Sequence, residues 1–412
     1  MWWFDLIIKT GLGLAWIIAL GSHKTRLWFD GRKNWVERMQ QKIRPTDRII
    51  WFHAASLGEF EEGRPIIEAI RNKYPQFKIL LTFFSPSGYE IRKNYDQVDW
   101  VFYLPADTQS NMKQFLDIVH PNMTFFIKYE FWPNLLLEMQ KRSLRTYVVS
   151  ARFIPNSRFF AWYGGIFRKS LRAFENIFVQ DDRSVGLLNG IGIKQVVRAG
   201  DPRFDRVTAI AETNWHNPII EKFKQNKRVL IAGSTCGAGD ENLLQALINR
   251  HPDSKFIIVP HEMNSLSMEK IEQNTKMQVL RYTKCNSETN FNHCQVLIVD
   301  TIGMLALIYR YGTWAFIGGG FVAGIHSVIE ASVYGLPAAF GPNYKKNRPG
   351  IDLIKRGACR SVVNIDELDT WFTALKTNEA TLKKASNAAY QYCQEQRGAT
   401  EMIIGETVEK KR

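Results

Sequence analysis

Three loops in the first half of the chain carry the side chains best suited to acid–base chemistry. His53-Ala54-Ala55-Ser56-Leu57-Gly58-Glu59 directly follows the apolar run Arg48–Phe52 and leads into a predicted helix. Its small residues let the backbone turn tightly, and Ser56 is of the type that caps a helix. A carboxylate at a helix start is favoured in its charged form by the dipole. Glu59 is therefore a candidate general base, with plain helix capping as the alternative. Lys128-Tyr129-Glu130-Phe131-Trp132-Pro133-Asn134 follows the run Met123–Ile127 and sets Glu130 at a strand's carboxyl end. Trp132-Pro133 fixes a rigid entry into the next helix, and the alternative is an aromatic staple with Glu130 on the surface. Gly200-Asp201-Pro202-Arg203-Phe204-Asp205 is a turn presenting a fixed cation, with an ordinary surface turn as its alternative.

The second half offers glycines where the first offers charges. Ile231-Ala232-Gly233-Ser234-Thr235 follows a strand and opens a helix, so bare N–H groups and the dipole there attract an anion. Neither a Walker loop nor G-x-G-x-x-G is present. The stretch from Gly318-Gly319-Gly320 to Ala331 also follows a strand. Glu330 falls about one turn into its helix, where a carboxylate can take both hydroxyls of a ribose. His53, His261 and His326 are too scattered for metal-ligand spacing, and no metal is expected.

The elements that must hold these loops are short apolar runs separated by helical stretches. Candidate strands are Arg48–His53, Lys78–Phe83, Trp100–Tyr103, Met123–Ile127, Thr146–Val149 and Asn176–Val179. A second series is Arg228–Ala232, Phe256–Val259, Met277–Leu280, Val296–Val299, Trp314–Ile317, Pro337–Ala339 and Ser361–Val363. Continuous apolar strands alternating with helices are the mark of parallel sheets covered on both faces. The reading is two doubly wound α/β domains that meet near residues 210–225, with a cleft at the carboxyl ends of both sheets.

Composition narrows the classes. The 412 residues carry 54 Lys+Arg against 40 Asp+Glu, a net charge of +14, with 45% hydrophobic residues. Extended disorder is excluded, as is a multi-pass membrane protein. The five cysteines, an odd number with no C-x-x-C pair, argue against a disulfide framework. Residues 1–22 hold the most hydrophobic stretch, interrupted by Asp5 and Lys9, with Trp2 and Trp3 at its start. The thirty residues after position 20 contain eight basic and three acidic side chains. That pattern predicts an N-terminal membrane anchor, spanning or lying in the interface, with its basic flank cytoplasmic. The segment Arg158–Arg172 reads as a further membrane-facing amphipathic surface.

Together these loops resemble the 3-deoxy-D-manno-octulosonate (Kdo) transferases of lipopolysaccharide synthesis. The resemblance runs from about residue 25 to 400. It rests on His53–Glu59, Glu130–Asn134, Ser150–Phe153, Gly200–Asp205, Ala232–Thr235, Val299–Gly303 and Gly318–Ser332, in the family's order. It implies a GT-B glycosyltransferase with an anchor (1–22), an acceptor domain (23–212) and a donor domain (213–412) whose last helix packs back on the first. It also implies a CMP-Kdo donor, a phosphorylated lipid A precursor as acceptor, no cofactor, and an inner-membrane enzyme facing the cytoplasm. By the resemblance Glu59 is the general base, while Glu130 and Arg203 stabilise the transition state. CMP contacts come from Pro260, His261, Gly303, Met304, Leu305, Ser327, Val328, Ile329 and Glu330. Ser56, Gly58, Ser234 and Thr235 are acceptor or phosphate contacts. The chain departs from the family with Pro260-His261-Glu262 for P-R-H, with Ile325 and Ser327 in place of a glycine and an asparagine, and with Met304 for an acidic residue.

Two other readings compete. One is a GT-B transferase using a UDP-sugar and a lipid acceptor. The other is a basic membrane- or nucleic-acid-binding protein, and no nucleic-acid readout motif supports the latter half of it.

Overall fold

The computed structural model describes the backbone of residues 2–263 and 265–410, and side chains from Asp5 onward except at 264–267. The side chains of Trp2 and Trp3, invoked above for an interfacial anchor, lie outside the described residues. The chain divides into two compact units, one running to Asp205 and resuming at Arg397, the other Arg206–Gln396. Sequence had put the division at residue 212; the contacts put it at the first turns of the helix Arg203–Glu212.

The first unit is built on seven strands: β1 (Ile49–Ala54), β2 (Lys78–Phe83), β3 (Trp100–Tyr103), β4 (Met123–Ile127), β5 (Thr146–Ala151), β6 (Asn176–Val179) and β7 (Val196–Arg198). Their order is β3-β2-β1-β4-β5-β6-β7 and every ladder is parallel. Strand side chains alternate between faces. Along β1, Ile49 and Trp51 join Phe115 and Phe126 in one core, while Ile50, Phe52 and Ala54 join Phe125 and Tyr147 in the other. The helices that matter below are α1 (Trp2–Ala19), α2 (Leu57–Lys73), α3 (Gln109–Val119) and α4 (Pro133–Lys141). β7, a three-residue strand, escaped the sequence reading.

The second unit repeats the scheme with β8 (Val229–Thr235), β9 (Lys255–Pro260), β10 (Gln278–Arg281), β11 (Cys294–Ile298), β12 (Trp314–Ile317), β13 (Ala338–Phe340) and β14 (Cys359–Ser361). The order is β10-β11-β9-β8-β12-β13-β14, again all parallel. Helix α5 (Gly237–Arg250) follows β8, and helix α6 (Ala399–Thr407) belongs to the first unit. Its Ile403 and Ile404 pack in the core with Ile66 and Ile70 of α2. Asp205 holds its start by accepting the N–H groups of Gly398 and Thr400 at 2.6 and 2.7 Å. All five cysteines are free.

In each sheet the chain reverses its direction of travel between two adjacent strands: β1 and β4 in the first, β8 and β12 in the second. Loops leaving such a pair diverge and open a crevice for ligands. The loops carrying Glu59 and Glu130 leave the first pair and those carrying Ser234 and Gly318–Glu330 the second, while Arg203, Pro260-His261 and Gly303 lie at or after the ends of β7, β9 and β11.

The N-terminal helix bears on the spanning half of the expectation of an anchor that spans the membrane or lies in its interface. Among the described residues no helix is long and apolar enough to cross a membrane. Asp5 of α1 is instead hydrogen-bonded to the first unit, accepting from Gln109 N–H and Asn134 Nδ2, both at 3.0 Å.

Candidate active site

Glu59 stands in the first turn of α2, where Ser56 is the N-cap. Its Oε2 accepts the Ser56 backbone N–H at 3.0 Å and the Ser56 hydroxyl at 3.3 Å, the return arm of a capping box. The dipole argument predicts a firmly ionised carboxylate, and the structure reverses it. Burial, reinforced by the charge of Glu130, pushes Glu59 up to about 7 despite Lys128 and the Ser56 bonds. Capping and chemistry are thus not alternatives here: the same carboxyl does the first and is poised to take up a proton near neutrality.

Glu130, at the end of β4, is buried rather than a surface residue. Its Oε2 lies 3.1 Å from His53 Nε2 and accepts Trp132 Nε1–H at 2.8 Å. His53 is itself fully buried, its Nδ1 2.8 Å from Thr82 Oγ1, which accepts Trp51 Nε1–H at 2.8 Å. A buried carboxylate needs such partners. Trp132 is the N-cap of α4 and Pro133 its first residue, so the predicted rigid entry holds Glu130 from below as well.

A second network lies beside the first. Lys128 has φ 69 and Ser150 φ 58, left-handed backbone at the ends of neighbouring strands β4 and β5. Non-glycine residues adopt that conformation at a cost and concentrate at functional sites. The strain aims Lys128 Nζ at Glu62 Oε1, 2.6 Å away, and Ser150 Oγ–H at Glu62 Oε2, 2.9 Å away. Gln180 donates to Ser150 Oγ at 2.9 Å. Arg203 begins the helix Arg203–Glu212, its Nη2 2.6 Å from Asp201 Oδ2 and 3.8 Å from Glu62 Oε1. Burial opposes the charge on Asp201, yet the Arg203 guanidinium holds its carboxyl below the usual range. Lys128 joins the two networks, since its charge acts on both Glu59 and Asp201.

The fold therefore gathers Glu59, Glu130 and Arg203 at the carboxyl edge of one sheet, with Ser56 holding Glu59 and Gly58 exposed beside it. Sequence reading missed Glu62, Lys128, Ser150, Gln180 and Asp201. The available signals were a glutamate three residues beyond Glu59, on the same helix face, and a lysine closing an apolar strand.

In the second unit the predicted residues fall on the loops after β8, β9, β11 and β12. Ser234 (φ 55) and Thr235 close β8, and Thr235 O accepts His261 N–H at 3.0 Å beyond Pro260. A Cβ on Gly318 would meet Ser234 O at 2.1 Å, so only glycine lets these two loops lie backbone to backbone. The expected anion cradle is altered by a residue the sequence did not flag. Asp240 of α5 is buried and accepts Cys236 N–H at 2.8 Å and Gly319 N–H at 2.7 Å. Burial pushes it up to about 6. Two N–H groups bordering the Ile231–Thr235 cradle are thereby taken by a protein carboxyl and are not open to a ligand.

His261 and His326, far apart in sequence, lie with ring centroids 4.2 Å apart and planes tilted by 32°, and burial together with the charge of His261 lowers His326. Gly303 turns at φ 93 into Met304, which caps the short helix Leu305–Ile308 and takes the Thr301 hydroxyl on its sulfur at 3.0 Å. Val328 and Ile329 are buried, so they have only backbone to offer a ligand, and Ser327 precedes them. Glu330 stands in the first turn of the helix Ile329–Ser332, earlier than expected, and its charge helps hold the buried Tyr309 hydroxyl in its neutral form, after burial itself. Among the described residues no group of three His, Cys, Asp or Glu side chains could hold a metal ion.

The fold is shared with solved structures: UDP-GlcNAc 2-epimerase from Neisseria meningitidis bound to UDP-GlcNAc (TM-score 0.61, 14% identity, 88% of this chain and 100% of that one) and a glycosyltransferase from Rickettsia africae (TM-score 0.53, 13% identity, 89% and 100%). At such identities the likeness is one of fold alone, the two-domain α/β architecture of GT-B glycosyltransferases. Sequence goes further. Residues 33–206 match the model of the family described as 3-Deoxy-D-manno-octulosonic-acid transferase (kdotransferase). The 3-deoxy-D-manno-octulosonic acid transferase of Haemophilus influenzae is 25% identical over 375 residues, covering 87% of this chain and 86% of that protein. The matched segment, which holds Glu59, Glu130 and Arg203 together, is thus similar to the Kdo transferase family, and the likeness to the Haemophilus influenzae protein runs along most of the chain.

Proposed function

We propose that the protein transfers Kdo from CMP-Kdo to a phosphorylated lipid A precursor at the cytoplasmic face of the inner membrane. The observation that carries this reading is a glutamate held near pH 7 at the reversal point of the first sheet, beside a second, buried glutamate. In the reaction Glu59 accepts the proton of an acceptor hydroxyl while that oxygen bonds to the anomeric carbon of Kdo. The bond from that carbon to the CMP phosphate breaks, and CMP leaves with the electron pair. Negative charge grows on the phosphate and positive charge on the sugar. Arg203 and Glu130 are of the right signs to meet them, which is how preorganised groups lower such barriers. Pro260, His261, Gly303, Met304, Leu305 and Ser327–Glu330 would hold CMP, and Ser234 and Thr235 would lie near its phosphate. No cofactor takes part in this scheme.

Exposed apolar side chains support the membrane association in this reading. Leu6, Ile7, Leu14, Trp16, Ile17, Ile18 and Leu20 of α1 and its end are each more than half exposed. Trp162 is 91% exposed on the Arg158–Arg172 segment. These would enter the interface while the basic flank meets lipid phosphates. The test is incubation with CMP-Kdo and a tetraacyl lipid A precursor, products read by mass spectrometry. Addition of Kdo is the expected outcome; transfer from a UDP-sugar and none from CMP-Kdo overturns the reading.

A further inference from the structure

Beside Glu130 the first unit holds a cavity of about 380 Å³ whose walls are largely apolar, among them Ile8, Phe84, Trp132 and Phe167, with Arg158 also lining it. Its volume is within the range of small-molecule sites. One wall is not part of the sheet's own loops: Ile8 comes from α1. Asp5, three residues earlier and so on the same face of that helix, is the residue that ties α1 down. Its carboxylate receives the first N–H of α3 and the Asn134 amide, both at 3.0 Å. Asn134 is the second residue of α4, the helix entered through Trp132-Pro133, and Asp107 in turn accepts the backbone N–H groups of Asn134 and Leu135 at 3.1 and 2.9 Å. α1 is thus fastened to the very loop that carries Glu130. Its apolar residues not turned to the cavity continue onto the exposed surface through Leu6 and Ile7.

We propose that α1 closes the acceptor side of the site, and that the cavity behind Ile8 receives an acyl chain of the anionic lipid acceptor, with Asp5 as the positioning residue. This rests on the reading of the protein as a lipid-directed transferase. An acyl chain is the occupant the walls suit, because the cavity is apolar, opens beside an exposed apolar helix, and has Arg158 available for the acidic head group. The free sugar nucleotide has nothing to place against Ile8, Phe84 and Phe167.

The experiment compares two acceptors of identical phosphorylated disaccharide, one acylated and one deacylated, with CMP-Kdo as donor. The wild-type enzyme prefers the acylated acceptor in kcat/KM. Ile8→Trp, which fills the cavity, lowers that preference about tenfold. Ile8→Ala, a milder change should tryptophan not be accommodated, lowers it several-fold through KM. Asp5→Ala raises KM for the acylated acceptor about tenfold more than for the deacylated one, the effect expected when a hydrogen-bonded carboxylate is removed. Asp5→Asn, which keeps an acceptor oxygen, recovers most of it. If the variants slow both acceptors equally, or neither, α1 is a structural helix and the proposal falls. A wild-type enzyme that transfers Kdo to neither acceptor overturns the functional reading itself and this inference with it.

Discussion

At the end of β4, Lys128 sits at φ 69 and gives its ammonium to Glu62; at the end of β8, Ser234 sits at φ 55 and carries no charge. Both places are points where a parallel sheet reverses, and both tolerate strained backbone. The first is furnished with side chains: three glutamates, a lysine and an arginine locked by an aspartate. The second is furnished with absences, glycines at 318, 319 and 320 that let backbone lie on backbone. A group that must move a proton has to be a side chain whose neighbours set its affinity. A surface that is to hold a nucleotide, as proposed for the second, needs room and N–H groups more than charge.

The comparison can be broken at either end. Glu59→Gln keeps the Ser56 contact geometry and removes the base, and transfer should fall about 10³-fold while CMP binding by calorimetry stays as in the wild type. An active Gln variant would reduce Glu59 to a cap. Arg203→Ala should lower turnover about 10²–10³-fold, again with donor binding kept. Gly318→Ala attacks the other end. Its Cβ would lie 2.1 Å from Ser234 O, and the required backbone shift costs about 1–3 kcal/mol. The expected signs are weaker CMP binding and a lower unfolding temperature; normal binding would show that the glycines there serve only the fold.

Two gentler tests concern protons. The rate should rise with pH through about 7 as Glu59 ionises. Lys128 favours its charged form, so Lys128→Gln should move this limb of the kcat/KM profile to higher pH. Stability should run the other way. The folded-state value near 7 lies above the 4.5 of an unfolded glutamate. The stabilisation this group contributes is therefore full below about pH 4.5 and is lost as pH rises through 7. Glu59→Gln should then be more stable than the wild type at pH 8, by about 1 kcal/mol or about 2–4 °C in Tm.

What could be read in advance follows the same division. Apolar runs such as Met123–Ile127 and Trp314–Ile317 are strands because a doubly covered sheet makes no use of alternation, and their positions matched. Glu59, Glu130 and Arg203 were visible through the order of their motifs. Glu62, Asp201 and Asp240 were not, because each matters only for what the fold brings beside it. The strongest local rule failed for the same reason: the dipole at Glu59 was outweighed by burial and by a glutamate 71 residues away in sequence. His261 and His326 were dismissed as scattered, and pairing of loops made them neighbours.

Helix α6 gives the molecule a calendar. Ile403 and Ile404 complete the core against α2, the helix that carries Glu59. A ribosome delivers that helix only after the whole segment Arg206–Gln396 has emerged. The second unit is an insertion that can fold while the first still waits for its final strap. A nascent chain that stops short of Arg397 would then contain Glu59, Glu130 and Arg203, and yet leave the core beside α2 unfinished.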